Sequence, residues 1–419
     1  MNVATLRGDV SGVSWHRMLN PIREMVRQGL VEISSTPDML PVKLDQRVEA
    51  EARKIQQMYT HMCMDADVLH TQRVQSQELF GLLTALSKLH GLPYCMDIDD
   101  DIVSIDESNP AYNTYRKRTD EECYSVREIS NESEAAPYEI VGEQDGKLVA
   151  ITQNVEDGRE VSMQQVLQAD AIFTTTRDLA LLYGNLRKSH KNIYILPNSL
   201  VPAQWDSIER PGDHAGEVWV GWAGSTSHTQ DIHLLVDVAE HVLKKFKNTK
   251  FFWMKIPHPD LMSLARDYPE RCIVYDGWAG IEDWPDYYAS MNFDISLGPL
   301  VDTAFNRGKS NLKWLEAGIM SQPFIASRVT PYSDSIKNRK DGFLCNKASD
   351  WIKALDALIG SESLRKEVGG AARERVMNDF NMEKNCHLWV NAYEQVARDL
   401  GDMAKERTSS ILEQVQVSA

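Results

Sequence analysis

Residues 305–327 read FNRGKSNLKWLEAGIMSQPFIAS and follow a short apolar run, Phe293–Leu297. The pattern predicts a strand over Phe293–Leu297, a loop carrying Asn306, Arg307, Gly308 and Lys309, a helix from Ser310 to Met320, and a buried strand over Pro323–Ser327. The two loop cations and the N-terminal end of the helix present positive potential to an anion such as a diphosphate. Ser310 opens the helix, and one turn further Glu316 is an acceptor suited to vicinal ribose hydroxyls. The same letters also fit an amphipathic core helix behind a basic loop, so the stretch takes its meaning from its context.

That context is an alternation of short apolar strands with helices. After Glu217 the candidate strands are Glu217–Gly221, Lys250–Lys255, Cys272–Tyr275, Phe293–Leu297, Pro323–Ser327 and Gly342–Cys345. A helix is predicted over Thr229–Phe246, where Ile232, Leu235, Val236, Ala239, Val242, Leu243 and Phe246 form one apolar stripe. The first half repeats the logic with Asn2–Arg7, Leu30–Ser34, Asp67–Thr71, Pro93–Asp97, Ala171–Thr175 and Ile193–Leu196. Such βα alternation predicts an α/β chain of two Rossmann-like, doubly wound domains facing a cleft, over 1–198 and 199–385. The junction falls at Leu196–Asp206, LPNSLVPAQWD, where prolines interrupt the periodicity. Residues 119–160 break the pattern and predict an inserted β-hairpin over Tyr138–Ile151, turning at Asp145-Gly146. Residues 386–419 read as a helix crossing back to the first domain, with a frayed tail from Arg407.

With 419 residues, two cores are the natural expectation. The net charge of −16 divides as −10 over 1–205 and −6 over 206–419, which weighs against broad adhesion to nucleic acid or anionic membranes. No segment reaches the apolar length of a membrane span, and the first residues lack a signal-peptide pattern. Cys63, Cys95, Cys123, Cys272, Cys345 and Cys386 are scattered without metal-site spacing and read as reduced core thiols of a cytoplasmic protein.

Several loops at strand ends carry candidate chemistry. Gly221-Trp-Ala-Gly-Ser-Thr-Ser-His228 offers Gly224 and Ser225 for close backbone approach, and Ser227 with Gln230 forms a candidate capping box. His228 joins Arg307 and Lys309 as a candidate positive charge. Trp278 follows the strand ending at Tyr275, in a loop that resembles the one beside the nucleotide base in GT-B enzymes, which implies stacking on the base where plain packing is the alternative, and Lys255 ends another strand at the same edge. In the first half, Gly12-Val-Ser-Trp-His-Arg17 follows the opening strand and resembles a glycine-containing loop of GT-B glycosyltransferases, which implies His16 and Arg17 as contacts to donor phosphate or acceptor; helix capping and solvated charge are the structural alternative. Asp97-Ile-Asp99-Asp100-Asp101 concentrates negative charge after PYCMD. A DxD metal site on a diphosphate is one reading. The preferred one is an acceptor-side role, with Asp99 or Asp100 orienting or deprotonating a hydroxyl. Helix and turn capping is the plain structural alternative.

The stretch from Phe305 to Ser327, with a glutamate followed by AGIMSQPFIAS, resembles the donor-binding segment of family 4 glycosyltransferases of the GT-B fold. Glu316 matches the second glutamate of that family's Glu-seven-residues-Glu motif, while the first falls on Gly308. The Pro-Asn linker, the GWAGS loop and the DIDDD…Asn109-Pro-Ala-Tyr112 region are also similar to GT-B proteins, although the arginine and lysine usual in the glycine loop are absent. The resemblance implies a nucleotide-diphosphate sugar as donor, transfer to an acceptor hydroxyl with retained configuration, and no required metal. A glycan or protein acceptor fits the acidic surface better than modified DNA. A sugar-nucleotide epimerase and a catalytically silent nucleotide-sugar-binding module are the alternatives, the latter motivated by Gly308.

Overall fold

The computed structural model describes residues 1–35, 49–107, 109, 112, 116, 118–119, 124–131, 134, 140–144, 146–153, 158–254, 258–277 and 279–418. Its strands are β1 (Asn2–Leu6), β2 (Glu32–Ile33), β3 (Val68–Gln72), β4 (Tyr94–Asp97), β5 (Tyr124–Glu128), β6 (Ile140–Gln144), β7 (Lys147–Gln153), β8 (Ala171–Thr174) and β9 (Ile193–Ile195). They continue with β10 (Val218–Trp222), β11 (Thr249–Met254), β12 (Cys272–Tyr275), β13 (Ile295–Gly298), β14 (Phe324–Ser327) and β15 (Phe343–Cys345). Two six-stranded sheets result, ordered β2-β1-β3-β4-β8-β9 and β12-β11-β10-β13-β14-β15. Every neighbouring pair in both is parallel.

Parallel strands covered on both faces read as continuous apolar runs, and these do. In the first sheet, alternate residues feed two separate cores. Ala4, Leu6, Leu69, Met96 and Ile172 pack with residues of the helices Glu49–Met64 and Gln77–His90. Val3, Val68, Cys95 and Phe173 instead pack on the helix Asn20–Arg27 and on Met382, Trp389, Tyr393 and Val396 of the last helix, Met382–Ser418. The second sheet has its own core, built around Trp222, Trp253, Phe293 and Trp314. Among the described residues, no helix is long and apolar enough to cross a membrane. Cys63, Cys95, Cys272, Cys345 and Cys386 are buried free thiols.

Three local expectations change. The apolar stripe from Thr229 is two helices, Thr229–His233 and Val236–Lys245, separated at Leu234 and Leu235. The expected hairpin forms with Gly146 at φ +74°, but β5 adds to it as a third antiparallel strand in the order β5-β7-β6; Asp145 lies outside the described residues. The last helix does not end at Arg407. It runs on to Ser418, and the Arg407 guanidinium pairs with Asp170 at 3.0 Å.

The chain returns to the first half through a short parallel bridge, in which Met382 N donates to Leu200 O at 2.7 Å. Beside it lies Arg17, fully buried. Its Nε and Nη2 donate to the Asp97 carboxylate at 3.1 and 2.7 Å, Nη1 reaches Leu196 O and Asn198 Oδ1, and its guanidinium lies 4.7 Å over Trp389. One side chain thus joins the end of β4, the junction and the crossing helix. Arg17 was expected to contact a donor phosphate; burial and saturation by these partners remove it from that role. Asp97→Ala is expected to leave the guanidinium buried without its counter-charge and to cost about 3–5 kcal/mol in urea unfolding. A loss no larger than that of an exposed-pair variant such as Lys244→Ala would contradict this.

Candidate functional site

In the second sheet the chain moves one way from β10 and the other way from β13, which are neighbours. A crevice at the carboxyl ends of strands opens where strand order reverses, and this is where ligands of open α/β sheets bind. Two loops line it, 223–228 after β10 and 299–311 after β13. Asp231 fastens one to the other. Its Oδ1 accepts from Val301 N at 2.7 Å and Asn306 Nδ2 at 2.8 Å, and its Oδ2 lies 2.7 Å from His228 Nδ1.

This arrangement corrects the role expected of His228. The carboxylate takes the Nδ1 proton as a hydrogen bond, and Trp222 packs edge-on against the ring. Burial, which outweighs the pull of Asp231, moves the imidazole pKa down to about 4, with Lys313 and Lys309 adding to the fall. His228 is therefore neutral at pH 7 and supplies no positive charge. The candidate capping box does not form either. His228 occupies the N-cap without a side-chain cap, and Ser227 Oγ bonds Ser225 Oγ at 2.8 Å.

The helix after the second loop is Leu312–Ile319, with Ser310 in the turn before it. Asn311 sits at its N-cap but sends its side-chain amide to Ser335 Oγ at 2.9 Å, so no side chain caps the first turn. Glu316 is buried and accepts from Trp284 Nε1 at 2.8 Å. Burial pushes its carboxyl up to about 7, opposed by Lys313 and by the indole hydrogen bond. Lys313, one turn earlier on the same face, was not singled out from the sequence. Its Nζ donates to Ala223 O at 2.7 Å, and a Cβ on Gly224 would sit 2.6 Å from it. A lysine three residues before a glutamate is an ordinary helix-surface pattern, and only the tertiary contact with the glycine loop distinguishes it.

The acidic run of the first half, expected on the acceptor side, meets the second half directly. Lys309 Nζ lies 3.0 Å from Asp100 Oδ1 and 4.2 Å over the Phe305 ring. Asp101 Oδ1 accepts from Val103 N and Ser104 N, both at 2.9 Å, which fixes the loop. A Cβ on Gly308 would come within 2.9 Å of Leu179 Cδ2 and 3.2 Å of Asp101 Cβ. The place of the motif's first glutamate is thus filled from the opposite half. Nearby, Asn109 Nδ2 donates to Ser227 O at 3.3 Å, and a Cβ on Gly12 would touch Ile281 at 3.4 Å. Asp99 is partly buried, and burial with the charges of Asp100 and Asp97 raises its carboxyl above the usual carboxylate range.

Other expectations separate from this site. Arg307 ends a short helix, Ala304–Arg307, rather than lying in a loop, and is turned onto Asp302 at the exposed surface, 2.6 and 3.0 Å away. His16 is buried beside Arg17, and burial lowers its pKa to about 4. Lys255 and Trp278 lie outside the described residues. Among the described residues, His233, His258 and Asp260 are spaced to hold a metal ion.

No protein-family model matches the chain. Over 175 residues, 39% of this chain, it is 25% identical to 42% of the capsular polysaccharide biosynthesis glycosyltransferase CapM of Staphylococcus aureus. Over 180 residues, 42% of this chain, it is 26% identical to 35% of a poly(ribitol-phosphate) alpha-N-acetylglucosaminyltransferase from S. aureus strain COL. The chain therefore spans less than half the length of these curated relatives. Among solved structures, a glycosyltransferase from Rickettsia africae superposes with TM-score 0.59 at 13% identity, covering 95% of this chain and 99% of that one. Anabaena Alr3699/HepE, in complex with UDP and glucose, superposes with TM-score 0.58 at 11% identity, covering 96% and 100%. The fold is GT-B, two Rossmann-like domains facing each other.

The Glu316 carboxyl gives a pH test. Its folded pKa lies above that of an unfolded glutamate, so its contribution is fully present below pH 4.5 and is lost as pH rises to about 7. Across that window the wild type should lose about 3 kcal/mol that Glu316→Gln does not. Urea unfolding of both at pH 5 and pH 8 is expected to show the variant gaining on the wild type at the higher pH. Parallel changes would place the carboxyl in ordinary solvent.

Proposed function

We propose that the chain is a glycosyltransferase that moves a sugar from a nucleoside-diphosphate sugar to an acceptor hydroxyl. The observation that carries this reading is Glu316, a carboxyl buried at the GT-B crevice and positioned by Trp284, one turn inside a helix whose first turn has no side-chain cap. A carboxylate there accepts two ribose hydroxyls, and the first-turn amides receive the diphosphate. Gly224 and Ser225 lie in the loop after β10 and Ser310 in the turn before the helix, and Lys309 reaches across to Asp100 of the first half. The glycosidic C–O bond breaks with its electron pair on the departing phosphate oxygen, and the acceptor oxygen forms the new bond. Asp99 orients the acceptor hydroxyl, whose proton passes to the departing diphosphate. This matches the retention implied by the family 4 resemblance. Closure of the two halves excludes water from the bond being broken.

A glycan acceptor is supported by the curated relatives, whose names describe capsular polysaccharide and poly(ribitol-phosphate) glycosylation. The net charge of −16 argues against a DNA acceptor. Buried reduced thiols suit a cytoplasmic setting. The crowding at Gly308 favours one competing reading, a module that binds the donor without transferring it.

Thermal unfolding with UDP, GDP, ADP, CMP and TDP tests the donor site. One nucleotide is expected to raise the midpoint by mass action, about 2.7 kcal/mol at a hundredfold excess over Kd, and Glu316→Ala is expected to abolish the rise. No rise with any of them would remove the reading. A rise without turnover of the matching sugar nucleotide on any glycan would favour the silent module.

A further inference from the structure

A departing diphosphate gains charge as its bond to the sugar breaks, so a cation has to be in place beforehand. The candidates expected from the sequence do not fill that place. His228 is neutral, Arg307 is held on the surface by Asp302, and Lys309 is held by Asp100 across the cleft. Between Trp222 and His228 the loop contains neither arginine nor lysine.

Lys313 stands where they are missing. It leaves the first turn of the helix Leu312–Ile319 and crosses above the end of β10, its Nζ 5.2 Å from the centre of the Trp222 ring. Gly224 gives it room, since any Cβ there would meet Nζ and the indole at 2.6 Å. Among the described residues its one hydrogen bond goes to Ala223 O, and no carboxylate lies within ion-pairing distance. An ammonium has three protons to donate. A partly buried ammonium with one neutral hydrogen-bond acceptor, and with Glu316 and Asp231 attracting it only from beyond ion-pairing distance, is costly to hold, and burial lowers its pKa although both carboxylates oppose the fall. An anion entering between the Gly224 loop and the helix start would relieve that cost.

We infer that Lys313 is the catalytic cation of this crevice, contacting the donor diphosphate and holding the charge that develops on its leaving oxygen. The inference rests on the proposed transfer and assigns its phosphate-binding charge to the helix rather than to the glycine loop. The C–O bond breaks with its electron pair on the diphosphate. Lys313 neither gives nor takes a proton, because the acceptor's proton goes to the diphosphate. The flat Trp222 face and the Ala223 carbonyl hold the ammonium in position beforehand, so no reorganisation is needed as the bond breaks.

Lys313→Gln retains a donor for Ala223 O and removes the charge, and Lys313→Arg retains the charge. Lys313→Met, which fills the same space over Trp222, replaces the glutamine variant if that does not fold. Calorimetry on the full chain compares the nucleoside with its diphosphate, and turnover is measured with the matching sugar nucleotide. In Lys313→Gln, nucleoside affinity is expected to stay within about twofold of wild type, diphosphate affinity to fall at least about tenfold, and kcat to fall about 10²–10³-fold. Lys313→Arg should recover most of the diphosphate affinity. Undiminished diphosphate binding and kcat in Lys313→Gln would overturn the assignment while leaving the transferase reading intact. Wild type that binds no nucleoside diphosphate would overturn both. An equal loss of nucleoside and diphosphate affinity would assign Lys313 a structural role only.

Discussion

The Asp231 carboxylate is the constraint on which the crevice depends. It sits at the sheet's switch point and accepts three hydrogen bonds, two from the loop after β13 and one from the loop after β10. Those donors are buried or partly buried, so their loss would leave unsatisfied groups at about 1–3 kcal/mol each. The geometry follows from this fastening. His228 is locked in one tautomer, Asn306 is drawn inward, and its neighbour Arg307 is turned outward to Asp302. The helix Leu312–Ile319 then starts opposite the Gly224 loop, with Lys313 and Glu316 on the face that closes the space between them.

A second constraint acts across the cleft. Arg17 joins β4, the junction and the crossing helix, so the base of the first half is rigid where the two halves are connected. From that base the loop of Asp99, Asp100 and Asp101 projects onto Gly308 and Lys309. A side chain at 308 would have to push aside Leu179 and Asp101, and the Lys309–Asp100 pair holds the contact. In this chain the acidic groups beside Gly308 and Lys309 come from the opposite half, not from the segment itself.

Much of this architecture was legible in the sequence because parallel strands buried on both faces are uninterrupted apolar runs. All twelve strands of the two large sheets were expected, with ends displaced by one or two residues where the last hydrogen bonds fall. The strand β5 was missed because its YSVRE letters carry no apolar run and its side chains are mostly exposed. The helix that carries Glu316 was legible between two apolar strands, but the bond to Glu316 from Trp284, 32 residues earlier, was not. Arg17 was not, since its partner Asp97 lies 80 residues away and only the fold brings them together. The charge state of His228 was equally hidden, because it depends on burial against Trp222. Lys313 was overlooked because its meaning depends on a glycine 89 residues earlier in the chain having no side chain.

Hydrogen exchange read by mass spectrometry, with and without the stabilising nucleoside diphosphate, tests the central claim most directly. Binding in the crevice predicts slowed exchange in 222–228 and 312–316, with a smaller effect in 99–104 as the halves close. Unchanged exchange in 222–228 and 312–316, with protection confined to 124–153 or to the last helix, would contradict it.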